Sequence, residues 1–177
     1  VDQGAMEVRV ANEPEERAKL WTARKKGVGA MGRLAPTIVT HDGTIPRSRL
    51  PEMLEFIYEV SERHGVKIAN IFHAGDGNLH PCMYFDERDA SQLQAAGNAA
   101  DEIIRHCLEI GGSITGEHGV GIEKLPMMRL MFTDHDIEYQ DLARQVFDEK
   151  GLCNPCKVLP TDERFVGHAL RRGGAGA

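Results

Sequence analysis

Apolar residues recur along this chain with two different periods. Over residues 46–64, Leu50, Met53, Leu54, Ile57 and Val60 share one face at helical spacing, and Gly65 follows as a stop signal. Residues 91–110 read as a long helix closed by Gly111-Gly112. An earlier helix is predicted from Asn12 as N-cap, with Pro14 just inside and Glu15 and Glu16 in its first turn. It carries Leu20, Trp21 and Arg24, and is expected to fade at Gly27 and Gly29. Shorter helices are expected over 125–131 and 135–150. The alternating stretch 7–10, the β-branched run 37–40, and 66–72 with 79–85 read as strands, the last two flanking Gly75-Asp76-Gly77-Asn78. Residues 154–158 read as a fixed turn into a strand or an extended tail. The order predicts an α+β fold: an antiparallel sheet with helices packed on one face, with ferredoxin-like sandwich elements, followed by a C-terminal helical segment. One domain is expected over 1–165, and the Arg-, Gly- and Ala-rich end, 166–177, is expected to be disordered.

Composition narrows the partners. The 177 residues carry 21 Lys+Arg against 27 Asp+Glu, a net charge of −6, with no basic stripe to meet a nucleic acid. No run approaches the ~18 apolar residues of a membrane span. The N-terminus lacks the charged-then-apolar pattern of a secretory signal. The expected location is therefore cytoplasmic, with any membrane association made through partners. Cys82, Cys107, Cys153 and Cys156 are expected as reduced thiols, and the single C-x-x-C at 153–156 lacks the second pair that a zinc site of that type needs. Glycine is the unusual component, at 19 residues. Gly75, Gly77, Gly111, Gly112, Gly116, Gly119 and Gly121 lie in or beside the two segments that carry the candidate chemistry.

The first of these is His73-Ala-Gly-Asp-Gly-Asn-Leu-His80. With Asp76-Gly77 at the centre of a two-residue turn, His73 would oppose His80 across the hairpin, close enough for both imidazoles to grip one metal ion. The same residues would also serve as two polar groups on an exposed hairpin face. The second is Gly116-Glu117-His118-Gly119. Glu117 could complete a two-His-one-carboxylate site, and His118 could stand beside it as a general base. A solvated loop or a helix N-terminus accounts equally for that sequence. Arg24 is a candidate carboxylate clamp, although an Arg or Lys alone, Lys124 included, is ordinarily a solvated surface group. The run Met127-Met128-Arg129-Leu130-Met131 reads as core packing. His41, His64, His106, His135 and His168 read as surface or helix-end residues.

Taken together, the 73–80 motif, Gly112-Ser-Ile-Thr-Gly-Glu-His-Gly-Val-Gly-Ile-Glu-Lys124 and Asn154-Pro-Cys-Lys-Val-Leu-Pro160 resemble the C-terminal domain of FAD-linked 2-hydroxy-acid oxidoreductases. That family includes the glycolate oxidase D subunit and cytochrome-type D-lactate dehydrogenase. Leu20-Trp-x-x-Arg24 and Asp42-Gly-Thr-Ile-Pro46 match in the same order, so the resemblance covers roughly residues 13–161. It implies that His73, His80 and Glu117 ligate a divalent metal, zinc or manganese, and that His118 is the catalytic base. It further implies that Arg24 holds the substrate carboxylate and that Asn154 contacts the FAD region. The FAD itself would be held mainly by an N-terminal FAD-binding domain absent from this chain. The implied reaction oxidises a small D-2-hydroxy acid of the glycolate or D-lactate type to the 2-oxo acid, with hydride passing to FAD. Other oxidase subunits are implied as partners, and the chain alone would be inactive. The alternatives are a non-haem metal enzyme and a non-catalytic ferredoxin-like interaction module. Cys156 departs from the glycine common in the Asn-Pro-x-Lys turn, which matters if that position needs positive φ.

Overall fold

The computed structural model describes residues 6–160. Its sheet is built around β4 (Asn78–Phe85). Strand β3 (Lys67–His73) runs antiparallel along one edge of β4, from Lys67 opposite Tyr84 to His73 opposite Asn78. Strands β1 (Thr37–Thr40) and β2 (Gly43–Thr44) follow each other along the opposite edge. Thr40 faces Cys82 and Gly43 faces Leu79, so one register runs through both and sets Asp42 opposite His80. The interruption lies opposite Pro81. His41 donates its N–H to the Pro81 carbonyl at 3.1 Å, and the proline has no N–H to return.

Alternation along β4 divides the sheet into two faces. Leu79, Met83 and Phe85 point to the face covered by α2 (Leu50–His64) and α3 (Ala90–Glu109). There they join Met53, Ile57, Val60, Ala99, Ala100 and Ile103, all buried. The predicted helical face of α2 is the one buried, and Gly65 ends that helix at φ 65°. Asp89 caps α3 by accepting from the Ser91 and Gln92 N–H groups. Asn78, His80 and Cys82 point to the other face, which the chain after α3 roofs with a loop. The α+β architecture with helices on one face is as expected.

Several elements differ from expectation. Residues 7–10 form no strand. Helix α1 (Pro14–Met31) starts after Glu13 rather than Asn12, and runs through Gly27 and Gly29 to Gly32. Glycine weakens a helix interior by about 1 kcal/mol, too little to end a helix by itself; the C-cap, Gly32, stays right-handed at φ −58°. The C-terminal helices are α4 (Met128–Met131), after a 3₁₀ turn at Leu125–Met127, and α5 (Asp134–Phe147), opened by a capping box between Thr133 and Asp136. Met127 and Met128 pack with Ile104, Ile114 and Leu159, whereas Leu130 and Met131 are exposed, so only part of the methionine run is core. Residues 154–158 form a turn with no strand, in which Asn154, Cys156 and Val158 all have positive φ. Cys156 sits at φ 62°, so a position that glycine would occupy freely carries a Cβ. The expected tail and His168 lie outside the described residues. Among the described residues no helix is long and apolar enough to cross a membrane.

Two backbone contacts lock the second face. The Ser113 N–H donates to the Thr44 carbonyl at 2.7 Å, joining the segment after α3 to β2. A Cβ on Gly112 would lie 2.2 Å from that same carbonyl oxygen, and one on Gly77 would lie 2.1 Å from the Ile45 carbonyl oxygen. Neither contact has a flexible side chain that can yield. Gly112→Ala is therefore expected to destabilise the fold by about 3 kcal/mol, at the upper end of overpacking costs. In a thermal melt this would appear as a fall of roughly 6–12 °C.

Candidate metal centre

The β3–β4 connection is a four-residue turn over 74–77, in place of the two-residue turn expected. Asp76 and Gly77 both donate to the His73 carbonyl at 3.0 Å, and Gly77 takes φ 72°. Consequently His73 pairs with Asn78, and His80 pairs with Ile71. The expected opposition of the two histidines is corrected by two residues. A two-residue slip leaves every side chain on its face, where a one-residue slip would have reversed them. His73 and His80 therefore still meet, as diagonal neighbours with ring centroids 5.4 Å apart at 88°.

The 113–121 loop brings Glu117 over this pair. Glu117 Oε1 lies 2.9 Å from His80 Nε2 and 3.7 Å from His73 Nε2. One donor atom from each of the three residues falls within 4.8 Å of the others. Tetrahedral bonds of about 2.1 Å set two donors roughly 3.4 Å apart, so binding an ion draws the wider pairs together by up to about 1.4 Å. His118 stacks on His80 with centroids 4.9 Å apart at 16°, and its Nε2 is 3.7 Å from the same Glu117 oxygen. His80 is buried; His73, Glu117 and His118 are open to solvent. Burial, together with the neighbouring His118, holds the His80 pKa below the ordinary imidazole value, against the pull of Asp42 and Glu117. A neutral imidazole is the form that ligates metal.

What fixes the loop is Asp42, fully buried opposite His80. Its Oδ2 accepts the N–H groups of Gly116, Glu117 and His118 at 2.8, 3.0 and 2.9 Å, and the Thr115 hydroxyl at 2.7 Å. Burial by itself would raise this carboxyl's pKa; the hydrogen bonds outweigh it and hold the pKa at about 2. The Lys124 ammonium donates to the Asp42 carbonyl at 2.6 Å and stands 3.7 Å from Oδ2. Lys124 is thus a buried counter-ion rather than the surface group expected, and burial lowers its pKa. Gly116 packs closely here: a Cβ would come within 2.4 Å of Thr44 Oγ1 and 2.6 Å of Asn78 Oδ1, so both side chains would have to move to admit one.

An open cleft of about 410 Å³ lies over the cluster, lined by Thr44, His73, Asp76, Asn78, Gly116 and Glu117. Arg24 and Asn154 do not line it. Arg24 is exposed on α1 and Asn154 is exposed in the C-terminal turn. Of the remaining histidines, His41 is buried, contrary to expectation, whereas His64 and His106 sit near helix ends, bonded to Glu102 and stacked on Phe56 respectively.

The family model for FAD linked oxidases, C-terminal domain, matches residues 2–158. The chain belongs to this family. Its relatives include the glycolate oxidase subunit GlcD of Escherichia coli K12, 42% identical over 161 residues, covering 91% of this chain and 32% of the relative. GlcD of Bacillus subtilis is 35% identical over 160 residues, covering 90% and 34%. The mitochondrial cytochrome-type D-lactate dehydrogenase of Arabidopsis thaliana is 29% identical over 153 residues, covering 85% and 27%. This FAD-linked oxidase domain thus spans about a third of the length of these curated relatives. Within it, sequence reasoning missed Asp42 as a site residue. The signal was Pro81: a proline inside a strand marks where the ladder breaks, here opposite His41, and Asp42 is the next residue along the interrupted edge.

Proposed function

We propose that this domain supplies the metal and substrate side of an FAD-dependent oxidation of a small D-2-hydroxy acid, of the glycolate or D-lactate type, to the 2-oxo acid. The observation that carries the reading is the convergence of His80, His73 and Glu117 from two strands and a roofing loop, with His118 stacked alongside. Two imidazoles and a carboxylate suit zinc or manganese. When bound, a divalent ion supplies Lewis acidity toward the substrate hydroxyl, and FAD supplies the hydride acceptor.

The chain's own residues do the rest. Glu117 and the two histidines would hold the ion beneath the cleft. His118, solvent-open and beside the ligands, takes the hydroxyl proton. Arg24 pairs with the substrate carboxylate and Asn154 faces the flavin. Both lie away from the cleft, so these two roles belong to the assembled protein, in which the FAD-binding portion and other oxidase subunits complete the site. Glycolate and D-lactate differ by one methyl group, a difference worth only about 1–3 kcal/mol in a pocket.

Metal analysis of the purified protein tests the reading. Wild type is expected to retain about one equivalent of zinc or manganese through dialysis. Glu117→Ala removes a ligand and is expected to lose more than about 100-fold in affinity, exceeding the 10–100-fold attached to outer-shell partners. A wild-type protein that holds no divalent ion under any loading condition overturns the metal reading and favours an interaction module. Tightly held iron with dioxygen-dependent, flavin-free turnover would favour the non-haem enzyme.

A further inference from the structure

We propose that Asp42 is the positioning residue of this centre, orienting His80 from behind with one carboxylate oxygen while the other fixes the loop that carries Glu117. The inference rests on the metal reading above and extends it to a residue outside the ligand set.

The two oxygens of Asp42 have different surroundings. Oδ2 is saturated, with three backbone N–H groups and the Thr115 hydroxyl converging on it. Oδ1 is buried and has no hydrogen-bond partner. It faces His80 Nδ1 at 4.0 Å, and that nitrogen is also buried and without a hydrogen-bond partner. Two orphaned polar atoms confronting each other in a closed space is an expensive arrangement unless they serve each other. The register explains why they meet: position 42 falls opposite position 80 where the ladder breaks at Pro81. An imidazole that offers its Nε2 lone pair to an ion carries its proton on Nδ1, and a carboxylate is the usual acceptor behind it. Closing the 4.0 Å gap would make that bond. One buried carboxylate would then set the tautomer of one ligand and the backbone position of another, with Lys124 balancing its charge.

Asp42→Asn separates these roles. The four loop donors can be satisfied only by the amide oxygen, so the amide NH₂ must face His80 Nδ1. Two N–H donors would then confront each other whenever Nε2 is free for metal. Zinc(II) affinity, measured on the 177-residue chain by competition with a chromophoric chelator, is expected to fall about 10–100-fold. Because Asp42→Asn leaves the Lys124 ammonium without its anion, the double variant Asp42→Asn with Lys124→Met is measured alongside and is expected to show the same loss at restored charge balance. In a His80→Ala background, Asp42→Asn is expected to change affinity less than about twofold, since the coupling runs through His80. Affinity within about threefold of wild type in both the single and the double variant overturns the proposal. So does an undiminished loss in the His80→Ala background, which would place the whole effect in the loop. A wild-type chain that binds no zinc removes the metal reading itself, a result distinct from equal binding by wild type and variant.

Discussion

Alanine at His118 is expected to lower turnover of the FAD-containing enzyme by about 10²–10⁴-fold, the range for loss of a general base, with metal content unchanged. The substitution separates two jobs that the geometry places side by side. His118 Nε2 and His73 Nε2 are each 3.7 Å from Glu117 Oε1, so distance to the carboxylate does not tell them apart. Their surroundings do. His73 extends from the end of β3 and shares the three-donor cluster, whereas His118 lies flat against the His80 ring, outside it. Turnover of the variant and its metal content, measured on the same sample, decide the matter. A large rate loss with metal retained identifies a proton acceptor. Joint loss of rate and metal would make His118 a ligand, and near-wild-type turnover would remove it from the chemistry.

Removing the Asp42 carboxylate altogether, as in Asp42→Ala, is expected to destabilise the metal-free fold by about 3–5 kcal/mol. Three loop N–H groups lose their acceptor at one stroke, and the Lys124 ammonium is left buried without an anion. In thermal unfolding this corresponds to a fall of roughly 6–20 °C for a domain of this size. The effect depends on pH, with a sign set by the lowered pKa. Folded, the carboxyl titrates at about 2, against an ordinary 3.8. Its contribution to stability is therefore complete above about pH 4 and is lost as pH falls from 3.8 toward 2. The gap between wild type and Asp42→Ala should be constant through the neutral range and should narrow below about pH 4. A gap that stays level down to about pH 2 would mean that the ionised form carries none of the stabilisation.

Much of this architecture is legible in the sequence. The spacing of Leu50, Met53, Ile57 and Val60 announces both a helix and its buried face, and Asp-Gly between two apolar runs announces the hairpin. The length of the turn is not legible, because two-residue and four-residue connections share the same glycine requirement. That His73 and His80 still meet reflects the twofold period of a strand, which forgives an even slip. The full course of α1 is hidden because glycine only weakens a helix: three glycines stand near its end, and nothing local says that Gly32, at φ −58°, is the one that closes it. The burial of Lys124 is hidden for a different reason: a charged residue is buried by virtue of a partner distant in sequence. Asp42 meets Lys124 across 82 positions, and no local pattern carries that information.

The glycine contacts decide what counts as a transferable part. The eight-residue hairpin motif looks self-contained, and grafted onto another sheet it would carry two imidazoles with it. In this protein the turn rests directly on the Ile45 carbonyl, the segment after α3 rests on the Thr44 carbonyl, and the loop above hangs from Asp42. The smallest unit that could be transplanted with its function is therefore a set of three segments, residues 41–45, 73–81 and 112–118, which must move together or not at all.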